Sequence, residues 1–245
     1  MGELERALPE TSFRSDAIGA LAQGAVGSIP LAGPIAAEAL GLALTRRRAA
    51  RDQEFNRLVA EGLDQLRERL DAMERSIAID ADEFVALATR AHREAAETAS
   101  EAKRRRLASA VVNGGSWAPF NASEREQFGR LVAQLDELHV FLLHFFVDPR
   151  AWLEAHGLMG AQSNVLMGGI SGPLTSALGV PETVWGEPIA QAVRDLEDAG
   201  LAAIPLRVTM TASGILQERT SPKGRRFLEF INEVHSADVA APELD

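Results

Sequence analysis

The feature that most constrains this sequence is a stretch of 21 residues without a charged side chain, which runs from Ala17 to Ala37. Its length is close to the roughly 20 apolar residues that an α-helix needs to cross a bilayer. Pro30 and Pro34 interrupt the stretch, and each proline removes a backbone hydrogen-bond donor from a helix. The sequence therefore predicts two short apolar helices, over about 17–29 and 35–48, and each alone is too short to span a membrane.

Small side chains and a cluster of arginines accompany this stretch. Ala20, Gly24 and Ser28 recur at every fourth position, a spacing that lets helix backbones approach closely. A basic triplet follows the second predicted helix: Arg46, Arg47 and Arg48. Residues 17–44 are interpreted as a buried helical hairpin, as a segment that inserts into or attaches to a membrane, or as an oligomer contact. Spacing does not separate these, because an all-apolar helix is typical of both a protein core and a lipid environment.

Composition bounds the rest of the chain. The 245 residues are 46% hydrophobic and 24% charged, which excludes a disordered chain and allows one large or two small cores. The sequence has no cysteine, so disulfide scaffolds, thiolate metal sites and cysteine nucleophiles are excluded. The net charge is −10, and residues 45–115 carry 14 basic against 13 acidic side chains. Only local basic clusters are therefore available for contact with nucleic acid.

A heptad pattern follows the arginines. Six apolar side chains alternate at spacings of four and three, as in the seam of a coiled coil: Val59, Leu63, Leu66, Leu70, Met73 and Ile77. Asp80 and Glu83 then resemble a capping box, and a second helix is predicted over about 81–112, ending at the sequence Asn113-Gly114-Gly115. Its inner face is mostly alanine, so we expect the two long helices to pack closely as an antiparallel pair.

A second basic cluster lies near the C-terminal end of this predicted helix: Lys103, Arg104, Arg105 and Arg106. Cations at this end of a helix are stabilised by the helix dipole, so a solvated helix end explains the cluster. Contact with anionic lipid or with a phosphate backbone is the alternative interpretation. The arginine triplet at residues 46–48 favours the lipid.

One long central helix is predicted over about 124–147. Ser123 and Glu126 form a second capping-box pattern at its start, and Pro149 follows its end. Its second half is apolar on all sides apart from His139 and His144, as expected of a buried helix. The two histidines are five residues apart and project to different faces, so no metal site is predicted.

The C-terminal part has the order of elements found in a winged-helix domain. We predict helices over about 172–178 and 185–199, strands over about 204–211 and 214–220, and a final helix over about 222–235. The resemblance depends on apolar positions around the third helix of the domain and on the sequence that leaves the wing: Ile189, Val193, Leu196, Leu201 and the stretch from Thr220 to Leu228.

This resemblance does not by itself imply DNA binding. In winged-helix proteins that read DNA, the third helix enters the major groove. Here that helix has a net charge of −3, which phosphates would repel. A cationic cluster is present at the wing and its exit: Arg219, Lys223, Arg225 and Arg226. We therefore expect a protein-interaction or structural module, with DNA contact through the wing as the alternative.

The layout of the chain resembles that of helical prokaryotic proteins of the abortive-infection alpha type. The stretch that carries the resemblance runs from Glu101 to Ala110 and is followed by an apolar helix that contains Leu131, Leu135 and Leu138. The resemblance implies a role in phage defence, through membrane damage. It brings no catalytic residues.

These patterns predict a mainly α fold, in which a helical hairpin or bundle with apolar N-terminal helices precedes a C-terminal winged-helix (α+β) domain. The predicted domains are residues 1–48, 49–115 and 116–245. The sequence lacks the glycine-rich nucleotide motifs, the zinc-protease motif and the serine nucleophile elbow, so we predict a non-enzymatic protein without cofactor, metal or small-molecule substrate. The expected partners are a protein, a second copy of the chain or an anionic membrane, ahead of nucleic acid. The expected location is the cytoplasm or the inner face of the membrane.

Overall fold

The computed structural model describes residues 34–71, 82–162 and 166–231, and within these ranges the chain is mainly helical, as predicted. The chain divides into two compact units, Met1–Glu54 and Phe55–Asp245. In chain order, the elements are α1 (Pro34–Asp71), α2 (Asp82–Glu97), α3 (Glu101–Asn113), α4 (Ala122–Gln134), α5 (Glu137–Phe145), α6 (Pro149–Ala155), a 3₁₀ helix (Met159–Gln162), β1 (Met167–Gly168), α7 (Ser171–Leu178), α8 (Glu182–Asp198), β2 (Met210–Thr211), α9 (Ala212–Ile215) and α10 (Pro222–Ile231).

Helix α1 is continuous where the sequence predicts a boundary after Arg48. It begins at Pro34, a position that tolerates proline because the first amides of a helix have no intrahelical acceptor. It continues to Asp71 because residues 46–71 contain no proline and a single glycine. Other parts of the prediction lie outside the described residues, namely the helix over 17–29 with Ala20, Gly24, Ser28 and Pro30, and the positions of Met73, Ile77 and Asp80.

The prediction of one helix over 81–112 is wrong, because two helices occupy this range. α2 ends at Glu97 and α3 begins at Glu101. Ser100 caps α3, since its hydroxyl oxygen accepts a hydrogen bond of 3.0 Å from the amide of Lys103. Residues 103–106 therefore lie in the first turns of α3 rather than at a C-terminal helix end, and there the helix dipole disfavours cations.

The prediction of a single central helix over 124–147 is also wrong, because α4 and α5 occupy this range. Asn121, not Ser123, caps α4, and it forms a reciprocal capping box with Glu124. Asp136 starts α5, because its carboxylate accepts a hydrogen bond of 3.1 Å from the amide of His139. The chain thus leaves the helical conformation at residues 135–136, because a side chain offers the new helix start its own hydrogen bonds.

Three helices of the C-terminal part follow the predicted order, as α7, α8 and α10. The hairpin predicted from strands over 204–211 and 214–220 does not form. β2 instead pairs antiparallel with β1, with Met167 opposite Thr211, and residues 212–215 form the short helix α9. Thr211 explains this difference, since its hydroxyl caps α9 by accepting from the amide of Gly214. An isolated antiparallel bridge pairs Ala202, which precedes the first predicted strand, with Thr220.

Aromatic rings fill the core of the unit Phe55–Asp245. Phe120, Phe128, Phe227 and Phe230 meet edge to face at centroid distances of 5.4–6.0 Å. This cluster joins α4 and Phe120, which precedes it, to α10. A further aromatic group on α5 and α6 comprises Phe141, Phe145, Phe146 and Trp152.

Hydrogen bonds connect the entry to α10 with the end of α5. The buried hydroxyl of Thr220 donates to the carbonyl oxygen of Leu143 at 2.7 Å. The amides of Arg219 and Thr220 donate to the carbonyl oxygen of Phe146 at 2.8 and 3.2 Å. The carbonyl group of Phe146 follows the last turn of α5, so these bonds give it partners and fix the C-terminal part onto α5.

Candidate functional site

Apolar side chains and arginines lie exposed in the part of α1 that belongs to the unit Met1–Glu54. Leu42 is 52% exposed and Leu44 is 60% exposed. The next turn carries the predicted triplet, and Arg46, Arg47 and Arg48 are all exposed. Among residues 41–50, Ala43 alone is partly buried. We call residues 41–48 the α1 patch.

The α1 patch exposes large apolar side chains on more than one face of the helix before the arginines begin. Leu42 and Leu44 project about 200° apart on a helix, so turning one toward a protein surface leaves the other in water. An all-apolar turn is ordinarily covered by protein or lipid. Over the described residues, none of the helices combines the length and the apolar character needed to cross a membrane.

The described part of the predicted heptad seam packs inside the unit Phe55–Asp245. Val59 and Leu63 are partly buried against the main core, and Leu66 is buried beside Val112 of α3. Phe55 continues this face and meets the ring of His92 edge to face at 5.6 Å. A shallow groove of about 460 Å³ runs between α1, α2 and α3 at this point. The side chain of Leu70 lies outside the described residues.

The basic cluster at the start of α3 is largely engaged by internal acceptors. Lys103 donates to the carbonyl oxygen of Ala133 at 2.6 Å and pairs with Glu94 at 2.9 Å. Arg104 is buried and donates to the carbonyl oxygens of residues 98 and 99. Arg106 pairs with Glu137, and the more exposed Arg105 pairs with Glu101. These bonds offset the unfavourable end of the helix dipole.

The four cations at the predicted wing exit are engaged in the same manner. Arg219 donates to the carbonyl oxygen of Gly214 at 2.8 Å, and Lys223 donates to that of Ala199 at 2.6 Å. Arg225 pairs with Glu218, and Arg226 pairs with Glu124 at 2.7 Å while covering the ring of Phe120. The two arginine pairings raise the pKa of each guanidinium through a hydrogen bond to a carboxylate. The cluster therefore binds parts of the fold together.

Helix α8 exposes an acidic surface. Glu187, Glu197 and Asp198 are exposed, whereas Ile189, Val193 and Leu196 are buried, as the sequence predicts for the inner face. The exposed Arg194 donates to Gln191 on the same helix at 2.7 Å. A phosphate backbone approaching this surface would meet carboxylates.

A histidine that the sequence did not single out as functional connects α5 to α8. The Nδ1 atom of His139 lies 2.6 Å from Asp136, and its Nε2 atom lies 3.3 Å from Asp195. Burial lowers the pKa of His139, but the hydrogen bonds and charges of the two carboxylates outweigh burial and raise it. The bond from His139 in turn lowers the pKa of Asp136 to about 2. Asp136 three residues before His139 is a sequence signal for the cap, but Asp195 is distant in sequence.

A second polar group joins α3 to α5 nearby. Ser100 donates its hydroxyl hydrogen to Glu137, which also pairs with Arg106. Burial alone would raise the pKa of Glu137, but these partners lower it. His144 is the opposite case, because burial and then the charge of Arg106 lower its pKa to about 4. His144 is therefore neutral in the folded protein at neutral pH.

No family model, no characterised protein and no solved structure matches this chain. In residues 34–71, 82–162 and 166–231, no three histidine, aspartate or glutamate side chains are grouped so that they could hold a metal ion. The polar groups described above bond to one another and connect helices. The α1 patch presents apolar and cationic side chains outward.

Proposed function

We propose that this protein acts by association rather than catalysis, and that the α1 patch attaches it to an anionic membrane surface. The observation that carries the proposal is the exposure of Leu42 and Leu44 directly before three exposed arginines. Apolar surface in water is unfavourable by about 25 cal/mol per Å². A membrane interface removes such surface, and anionic headgroups attract the adjacent arginines.

The proposed attachment is to the surface and does not require a spanning helix. Charged residues recur along α1 from Arg46 onward, with Asp52 and Glu54 among the first, so the helix past the patch is unsuited to the apolar interior of a bilayer. A short apolar segment beside a basic cluster is the pairing that holds peripheral proteins at the headgroup level.

Phage defence is the setting that the resemblance to abortive-infection alpha type proteins implies, and we include it in the proposal. In that setting the C-terminal part, with its winged-helix order of α7, α8 and α10, serves as a protein-interaction or structural module. We do not propose DNA binding, because α8 exposes carboxylates and the wing-exit cations are bonded within the fold.

Sedimentation of the full-length chain with vesicles tests the proposal. We expect it to bind vesicles that contain phosphatidylglycerol at low salt and to bind pure phosphatidylcholine weakly. Replacement of Leu42 and Leu44 by serine should weaken binding about tenfold, because less apolar surface is removed from water. Replacement of Arg46, Arg47 and Arg48 by glutamate should weaken it about a hundredfold, at about 1 kcal/mol for each lost cation.

A matched control separates the patch from net charge. Arg57→Glu, Arg130→Glu and Arg150→Glu together change the net charge of the chain as much as the reversal of the triplet, at exposed positions outside the patch. This control should bind better than the triplet variant. The proposal fails if the wild-type chain stays in the supernatant at low salt. It also fails if Leu42→Ser with Leu44→Ser instead dissociates an oligomer, because the patch is then a contact between copies.

A further inference from the structure

Two segments of the unit Phe55–Asp245 are almost free of charged side chains, although 24% of the chain is charged. Residues 155–181 contain no aspartate, glutamate, lysine or arginine, and residues 199–217 contain Arg207 alone. A solvated loop ordinarily carries more polar character than this. The two segments are remote in sequence, so a local sequence preference does not explain why both lack charge.

The fold brings these two segments together as one antiparallel ribbon, residues 166–169 against 208–212. Met167 lies opposite Thr211, Gly168 lies opposite Met210, and the amide of Ala212 donates to the carbonyl oxygen of Leu166 at 3.1 Å. Gly169 also lies close to the other strand: a Cβ atom placed on it would be 3.8 Å from the carbonyl oxygen of Val208.

The ribbon exposes its large apolar side chains. Leu166 is 86% exposed, Met167 is 67% exposed and Val208 is 51% exposed. The exposed Arg207 adjoins Val208 and is the one charge that either segment contributes. Leu166 and Met167 are neighbours on one strand and Val208 lies on the facing strand, so exposed apolar side chains are concentrated on one small element, as is typical of an interaction surface.

We propose that the ribbon is a second membrane-contact site, which inserts Leu166, Met167 and Val208 into the interface of an anionic bilayer. Arg207 complements the negative headgroups, whereas the chain as a whole carries a net charge of −10. Area favours lipid over a protein partner. A standard protein interface takes about 800 Å² from each partner, far more than three side chains supply, whereas each apolar side chain adds to interfacial binding without a minimum area.

The absence of cysteine allows each site to be probed alone. Single cysteines replace Leu44, Met167 or Val85 in the full-length chain, and each carries an environment-sensitive nitrobenzoxadiazole dye. Val85 is an exposed apolar residue of α2, at 49%, and serves as the matched control. With phosphatidylglycerol vesicles, we expect the emission of the dye at residue 167 to shift to the blue and to gain intensity, while the dye at residue 85 stays unchanged.

The dye at residue 44 keeps this inference separate from the proposed function. A shift at residue 167 without one at residue 44 supports the ribbon and overturns attachment through α1. A shift at residue 44 alone overturns the ribbon. An unchanged signal at both positions overturns both proposals.

Substitutions measure the strength of the ribbon contact. Leu166→Ser, Met167→Ser and Val208→Ser together should weaken vesicle binding about tenfold, while Val85→Ser with Val184→Ser leaves it within about twofold. If the wild-type chain is instead a dimer that the triple substitution makes monomeric, the ribbon is a contact between copies and the lipid inference is wrong.

Discussion

His139 shows how one side chain can link protonation to the packing of two helices. A neutral imidazole carries one N–H group, yet both ring nitrogens of His139 lie within hydrogen-bond distance of a carboxylate. Both contacts are hydrogen bonds only when the ring carries two protons. The charged form is therefore the one that holds Asp136 at the start of α5 and Asp195 on α8.

This arrangement predicts a loss of stability at alkaline pH. Because the pKa of His139 is raised, its stabilising contribution is complete below the unfolded value of about 6.5 and is lost as pH rises through the folded value. His139→Gln should lower the free energy of unfolding by about 1 kcal/mol at pH 6 and by less at pH 9. Urea denaturation between pH 5 and pH 9 measures both values.

His144 provides the control for that experiment. Its pKa is lowered to about 4, so its contribution is present above about pH 6.5 and is lost as pH falls toward 4. His144→Gln should therefore alter the acidic limb of the stability curve and leave the alkaline limb in place. An alkaline limb that survives in His139→Gln would show that another group causes it.

Helix boundaries were harder to predict than helix positions. Apolar periodicity is continuous across residues 98–100 and 135–136, so it predicts two long helices. Ser100 and Asp136 nevertheless cap new helices, because each gains tertiary partners that outweigh the periodicity. Ser100 gains Glu137 and Asp136 gains a histidine that also reaches α8. Glu137 and Asp195 are remote along the chain from the caps that they support, and a pattern within one helix does not contain them.

The wing illustrates the same limit for strands. Residues 204–220 have β-branched and apolar residues that favour a hairpin, but the partner of β2 is β1, more than 40 residues earlier. The mainly helical class and the inner face of α8 were predictable, because they depend on local spacing. The ribbon that exposes Leu166 was missed, although the lack of charge over residues 155–181 was a signal for it.

At the start of α10, the backbone at Gly224 lies very close to the backbone at Leu201, and this predicts the effect of a substitution. A Cβ atom on Gly224 would lie 2.1 Å from the carbonyl oxygen of Leu201 and 2.8 Å from the Thr220 methyl group. Gly224→Ala should thus force α10 away from the end of α8 and lower the free energy of unfolding by about 2 kcal/mol or more. Chemical denaturation followed by circular dichroism measures the change.

Gly186 in α8 is the matched comparison for Gly224. Its added Cβ atom would make an ordinary contact of 3.8 Å with Glu182 on the same helix. Gly186→Ala should raise stability by up to about 1 kcal/mol, because alanine restricts the unfolded chain and favours a helix. If both substitutions change stability equally, close backbone packing at Gly224 is not the cause.

Across the whole molecule, charge is distributed in a way that the net value of −10 conceals. Residues 41–50 carry three arginines and no carboxylate, while α8 exposes carboxylates. An anionic surface would attract the α1 patch, although the net charge of the chain opposes its approach. Salt screens the attraction between the arginines and the headgroups, so the vesicle experiments are done at low ionic strength.

Burial differs between the helices of the molecule, and amide hydrogen exchange should reveal this difference. Residues 41–50 and residues 107–112 are both helical, but the first range has no buried side chain, whereas Leu107 and Val111 are fully buried. A helix without tertiary packing opens locally at little cost, while a buried helix exchanges near the free energy of global unfolding. In the free chain, we expect amides of residues 41–50 to exchange at least a hundredfold faster than those of residues 107–112.

Phosphatidylglycerol vesicles should slow exchange over residues 41–48 and leave the exchange of residues 107–112 unchanged. Slow exchange at residues 41–50 without vesicles would mean that protein already covers the patch.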